Sequence, residues 1–312
     1  MKSRENEIEK GKSKNSERKP KKKHRKLVII LVLILMVCIY IGISFLLSAN
    51  KITIKEYSYN SDKIDQPVTI ISLADLHSHS FGKNNKRLVR EVEKQEPDLI
   101  CIVGDAVNYY DEEDTYITSL IRQLIRIAPV YFSPGNHEVS MFNNHRYINL
   151  KQDIEQAGAL YFDQTYMDIT VKNQKIRIGG FYDYAFNYAG VSPGQYRQKS
   201  SYLFLQDYEE TDLFKLMLTH RPESFLYQEP DSRWQIDLVL SGHEHGGQIR
   251  LPFIGALYSS NMGGVWFPKF TEGYQVMNGI PVVISRGLGT YKGKNVSLRF
   301  NNIPEITKIT LK

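Results

Sequence analysis

Five short apolar runs in this chain give way, within a few residues, to side chains that bind metals or move protons. They are Asp75 and His77, Asp105, Asn136 and His137, His220, and His243 with His245. Imidazole, carboxylate and amide oxygen without thiolate suit borderline or hard divalent ions such as Mn, Fe or Zn. Structural zinc is disfavoured, because closed cysteine-rich tetrahedra are its usual sites and the chain has only Cys38 and Cys101. Five of the eight histidines fall at these positions. His79 reads as a rim residue and His145 as surface.

Groups so far apart in sequence can only meet if the fold gathers them. The runs Val68–Leu73, Leu99–Val103, Val130–Phe132, Phe214–Leu218, Ile236–Leu240 and Pro281–Ser285 are short and nearly all apolar, as strands covered on both faces are. Helix-like stretches at 88–95, 117–127 and 148–156 alternate with the first three, which predicts a βαβ rhythm. Ile169–Val171 and Ile176–Ile178 read as a hairpin around Lys172-Asn173-Gln174. In open α/β sheets, ligands bind beyond the carboxyl ends of strands, where every one of these side chains lies.

In wording and order, Asp75-Leu76-His77, Gly104-Asp105, Gly135-Asn136-His137-Glu138, His220 and Gly242-His243-Glu244-His245 resemble the calcineurin-like metallophosphoesterase superfamily. Gly246-Gly247-Gln248-Ile249-Arg250-Leu251-Pro252 and Ser285-Arg286-Gly287-Leu288-Gly289 are similar to its membrane-associated bacterial branch. The resemblance implies an α/β fold, a four-layer αββα sandwich. It also implies two divalent ions, one held by Asp75, His77 and His245, the other by Asn136, His220 and His243, with Asp105 bridging. Glu244 departs from the pattern, which often has Thr there; an acid at that point favours harder cations or faces solvent.

Two cations about 3.5–4 Å apart clamp an in-line displacement at phosphorus, and their activated hydroxide is the nucleophile. His137 follows a ligand without being counted as one, so it is read as the proton donor to the leaving oxygen, with Asp75 or Glu138 as its partner. Arg286 offers a forked cation to a phosphate; a structural ion pair is the other reading.

The remaining features concern location. The first 26 residues carry twelve Lys or Arg against four Glu, a net +8; the whole chain is +6, so the body is −2. The basic tail accounts for the alkaline pI, no nucleic-acid surface is indicated, and the tail itself is expected to be disordered. Residues 27–47 are 21 uncharged, mainly apolar residues, enough to cross a bilayer. Cationic flanks stay in the cytoplasm, which predicts a signal-anchor: tail 1–26, transmembrane helix 27–47, and a single domain 48–312 outside the cytoplasm at the cell membrane. Aromatic-rich stretches at 181–188 and 251–270 are expected to line a cleft, touch lipid or pack beneath loops. The expected function is hydrolysis of a phosphodiester or pyrophosphate bond in an envelope, lipid-linked or nucleotide-sugar substrate. The alternatives are a broad-specificity phosphomonoesterase and a catalytically silent cell-wall-binding scaffold.

Overall fold

The computed structural model describes residues 21–111, 115–182, 195, 197–225, 234–259, 264–291 and 298–312. It divides into two units, Met1–Ile43 and Ser44–Lys312. In the first, the helix α1 (Lys21–Asn50) begins; the most apolar 18 residues of its stretch His24–Asn50 have a mean hydropathy of 3.2, and the stretch is long and apolar enough to cross a membrane. The second unit begins at Ser44 and so takes in the last turns of α1, ahead of the domain start expected at residue 48.

Two six-stranded sheets form that second unit. The first contains β1 (Thr53–Tyr59), β2 (Val68–Leu73), β3 (Leu99–Val103), β4 (Val130–Ser133), β5 (Leu160–Tyr161) and the last strand, Glu305–Leu311. Its spatial order places that last strand between β1 and β2, after which β2, β3, β4 and β5 run parallel. The second sheet contains β6 (Thr165–Val171), β7 (Gln174–Gly180), β8 (Phe214–Leu218), β9 (Leu238–Ser241), and the strands Gly273–Met277 and Ile280–Ile284. Its central strands β7, β8, β9 and Ile280–Ile284 are parallel.

Strand alternation sorts the side chains into layers. In β3, Leu99, Cys101 and Val103 enter the core between the sheets, where they meet Ile176, Leu216 and Leu240 of the other sheet. Ile100 and Ile102 point the other way, onto a core shared with Leu88 of α2 (Lys86–Glu93), Leu120 of α3 (Thr115–Leu124) and Ile154 of the helix Leu150–Gln156. On the far side, Met217 and Val239 pack against Phe204 and Tyr208 of the helix Ser200–Glu209. The order is helix, sheet, sheet, helix, as the motifs implied. Burial on both faces explains why these strands read as nearly continuous apolar runs.

The hairpin is longer than its sequence signal, Thr165–Val171 against Gln174–Gly180. Its two-residue turn, Lys172-Asn173, has both φ angles positive, the geometry that suits the twist of a hairpin.

Candidate metal and phosphoester site

All the candidate side chains lie just beyond the carboxyl ends of parallel strands: Asp75 and His77 after β2, Asp105 after β3, Asn136 and His137 after β4, His220 after β8, His243 and His245 after β9. The two sheets present these ends to one place. Asp75, His77 and His245 offer ligand atoms within 4.8 Å of one another, and so do Asp105, His220 and His243. A third group, His77, Asp105 and His137, joins the two.

Nε2 of His77 lies 3.2 Å from Nε2 of His245, and Oδ1 of Asp75 is 3.5 Å from the latter. Asp105 is central: its Oδ2 is 3.2 Å from Nε2 of His220 and 3.8 Å from Nε2 of both His77 and His137. The Oδ1 of Asn136 is buried with no hydrogen-bond partner, an orphan acceptor of the kind a cation satisfies. Acceptor nitrogens and oxygens converging without matching donors fit divalent metal ions.

The backbone supports this convergence at a cost. Asp75, His77, Asp105, His243 and His245 all have positive φ, a region that non-glycine residues rarely occupy and that clusters at functional sites. Gly135 is required by contact, since a Cβ there would fall 2.3 Å from Oδ1 of Asp105.

Surrounding groups hold the rings in place. Nδ1 of His220 lies 2.9 Å from the Val103 carbonyl; donating a proton there aims Nε2 at the centre, where its lone pair becomes available once that nitrogen gives up its own proton. Glu223, whose Oε1 is 3.6 Å from Nε2 of His243 and accepts from Arg221, braces the second histidine. Burial lowers His77 to about 3 and His243 to about 4, so both rings are neutral at physiological pH. Burial also disfavours charge on His220, but the carboxylates of Asp105 and Asp75 outweigh it and raise the ring to about 10. Asp75 is pushed up to about 7 by burial, partly offset by His220.

His137 is held differently from the sequence expectation. Its Nδ1 accepts the Tyr109 N–H at 2.7 Å, not a bond from Asp75 or Glu138, so the neutral ring carries its proton on Nε2, the atom that faces Asp105 Oδ2. Glu138 instead accepts four backbone N–H groups, those of Asp105 and Gly135 at one oxygen and of Ala106 and Val107 at the other. Its carboxylate binds the β3 loop to the β4 loop. Glu244 is buried rather than solvent-facing, grouped with Glu223 and His243, and burial followed by Glu223 raises it to about 8. Arg286 pairs with Glu272 and lies 3.6 Å from Glu305. The arginine that approaches the centre is Arg299, whose Nη2 is 3.4 Å from Nδ1 of His245. No local motif marked it, because it follows the last of the recognised turns.

The calcineurin-like phosphoesterase family model matches residues 68–247, the stretch from β2 through the last of these histidines. The chain belongs to that family. It is therefore a metal-dependent phosphoester hydrolase of α/β fold. Among its relatives, the metallophosphoesterase YkuE of Bacillus subtilis is 28% identical over 78% of this chain and 78% of its own length. Metallophosphoesterase YkoQ of the same organism is 27% identical over 86% of this chain and 95% of its own length. The phosphodiesterase YaeI of Escherichia coli is 28% identical over 78% and 82%.

Of the aromatic stretches, Phe181 is fully buried in the outer core, Tyr182 is half-buried, and 183–188 lie outside the described residues. Phe253, Trp266 and Phe267 are exposed; Trp266 belongs to a small three-stranded sheet formed by Ile249–Leu251, Gly255–Ser259 and Val265–Trp266, with Phe253 in the turn between its first two strands and Phe267 just after the third.

Proposed function

We propose that this phosphoesterase is a membrane-anchored two-metal hydrolase. Its substrate is a phosphodiester or pyrophosphate of the cell envelope, lipid-linked or carrying a nucleotide sugar. The observation that carries the two-metal reading is Asp105, one carboxylate oxygen lying between the His77 and His220 sides of the site. Asp75, His77 and His245 would hold one ion and Asn136, His220 and His243 the other, with Asp105 shared between them. When bound, Mn, Fe or Zn supplies Lewis acidity and an activated water. Asp105 would reduce repulsion between the ions, and His137 would present its Nε2–H as a hydrogen-bond donor to the charge that develops on the leaving oxygen, a role supported by the tautomer that Tyr109 imposes.

Diester chemistry is favoured because a relative covering most of this chain is named a phosphodiesterase. The membrane location is supported by the apolar helix and its basic flank, and the positive-inside rule favours a cytoplasmic N-terminus with the catalytic unit on the other side. Exposed Phe253, Trp266 and Phe267 support work near lipid. Replacing Trp266 and Phe267 with Ser should weaken turnover of a liposome-borne substrate and spare a soluble one; equal loss on both counts against lipid contact.

The test of the reading uses the full chain in detergent, stripped of metal and reloaded with Mn. Hydrolysis of bis-p-nitrophenyl phosphate is compared with that of p-nitrophenyl phosphate, and with His137→Ala and Asp105→Ala. Metal-restored diesterase turnover lost in both variants supports it. Undiminished turnover by Asp105→Ala would sink the bridging role, and faster monoester cleavage would favour a broad phosphomonoesterase.

A further inference from the structure

Beside the metal centre lies a cavity of about 260 Å³, lined by Phe45 and Ala49 from the end of α1, by Leu288 and Gly289 from the turn after Ile280–Ile284, and by Leu298 and Arg299. It is smaller than the roughly 300–1,000 Å³ of pockets for compact drug-sized ligands, a size suited to one hydrocarbon chain. The turn shows it little polar surface: the N–H groups of Leu288 and Gly289 donate to Ala74 and Asp75, and the Gly289 carbonyl accepts from Arg299 Nε. The wall made by α1 is fixed, because Ser44 and Ser48 accept the N–H groups of Asn301 and Asn302, and Phe45 packs on Phe300. That wall continues the apolar run of residues 27–47.

Arg299 gives the cavity its cationic end, and Ser48, His79 and Thr290 complete the polar part of the lining. The side chain is 4% exposed, its Nη2 donates to the Arg286 carbonyl, and its Nη1 has no partner. Among the described residues it has no ion-paired carboxylate. The Asp75 and Glu305 carboxylates act on it from beyond ion-pair distance, so the guanidinium is only partly compensated and its Nη1 donor is unmet; it reaches the metal centre through His245. We propose that the cavity receives a hydrocarbon chain of an amphiphilic phosphoester, whose anionic group meets Arg299 and whose phosphorus lies at the metal centre. The proposal rests on the membrane-anchored phosphoesterase reading and narrows its substrate to a phosphoester of a lipid.

Binding, not turnover, tests it. The full chain, in nanodiscs and loaded with Mn, is titrated calorimetrically with inorganic phosphate, butyl phosphate and octyl phosphate. Each methylene that leaves water is worth about fourfold in affinity, so octyl phosphate binds at least about tenfold more tightly than butyl phosphate. Ala49→Trp fills the cavity and abolishes that increment, while inorganic phosphate binds as before. Leu298→Asn, at a half-exposed wall position that tolerates change, reduces the increment and serves if the Trp variant fails to fold. Because bilayer partitioning is the same for all variants, an increment that survives in a folded Ala49→Trp, or is absent in wild type while phosphate still binds, overturns the cavity and leaves the phosphoesterase reading standing. Failure of the metal-loaded wild type to bind inorganic phosphate overturns both.

Discussion

Glu138→Gln is the most informative single perturbation of the site, because it changes one atom of a group that touches neither metal nor substrate. The carboxylate accepts N–H bonds from Asp105 and Gly135 at 2.9 and 2.7 Å on Oε2, and from Ala106 and Val107 at 2.8 and 3.2 Å on Oε1. Burial and the Asp105 charge push its pKa up, and four converging donors hold the charged form. Glutamine keeps one acceptor oxygen and turns an NH₂ group towards the other two donors. Two buried N–H groups lose their partners at about 1–3 kcal/mol each, so a loss of about 4 kcal/mol is expected. At about 2–4 °C per kcal/mol for a unit of this size, Tm falls by about 8–16 °C. The Asp105 and Asn136 loops drift apart, and metal affinity drops by about 10–100-fold, the usual cost of losing a group that orients ligands. Thermal unfolding of the detergent-solubilised chain and calorimetric Mn titration read both effects. A variant melting within about 2 °C of wild type, with unchanged Mn affinity, would refute the role assigned to this carboxylate.

His137→Gln should cost about 10²–10⁴-fold in diesterase turnover while leaving Mn affinity within a few fold; loss of metal instead would make the ring a ligand. Metal loading should release protons, since the raised pKa values of His220, about 10, and Asp75, about 7, keep both protonated in the metal-free site. At pH 8 about one proton and at pH 6 about two leave per site, so affinity climbs with pH and levels off above about 10. Mn titrations in buffers of different ionisation enthalpy count them, and no release at pH 6 contradicts the electrostatics. Gly287 has a φ of +70°, and a Cβ there would lie 2.5 Å from Cβ of Asp75. Gly287→Ala should therefore cost at least about 1–3 kcal/mol and weaken Mn binding, and a variant that melts and loads as wild type does shows that the turn yields.

The chain's local chemistry determined much in advance. Strands buried on both faces are mostly apolar, so β2, β3 and β8 were legible as runs despite Thr69, Ser72 and Lys215 within them, and the polar residues just beyond them had to lie at the strand edge. The ordered motifs that follow pointed to the family, and the family model matches the same stretch, residues 68–247. What no window of sequence contains is which distant groups meet. Whether Glu138 faces His137 or four backbone N–H groups depends on how the β3 and β4 loops approach each other. Arg286 and Arg299 are alike as letters, yet Glu272 pairs with the first, while folding carries the second, 54 residues beyond His245, to that ring. The apolar helix likewise announced itself by composition, but Ser44 and Ser48 join the catalytic unit only because Asn301 and Asn302 meet them there. Local order follows from side-chain polarity and period. Pairing across tens or hundreds of residues is decided by the packing of two whole sheets, which places every strand end at once.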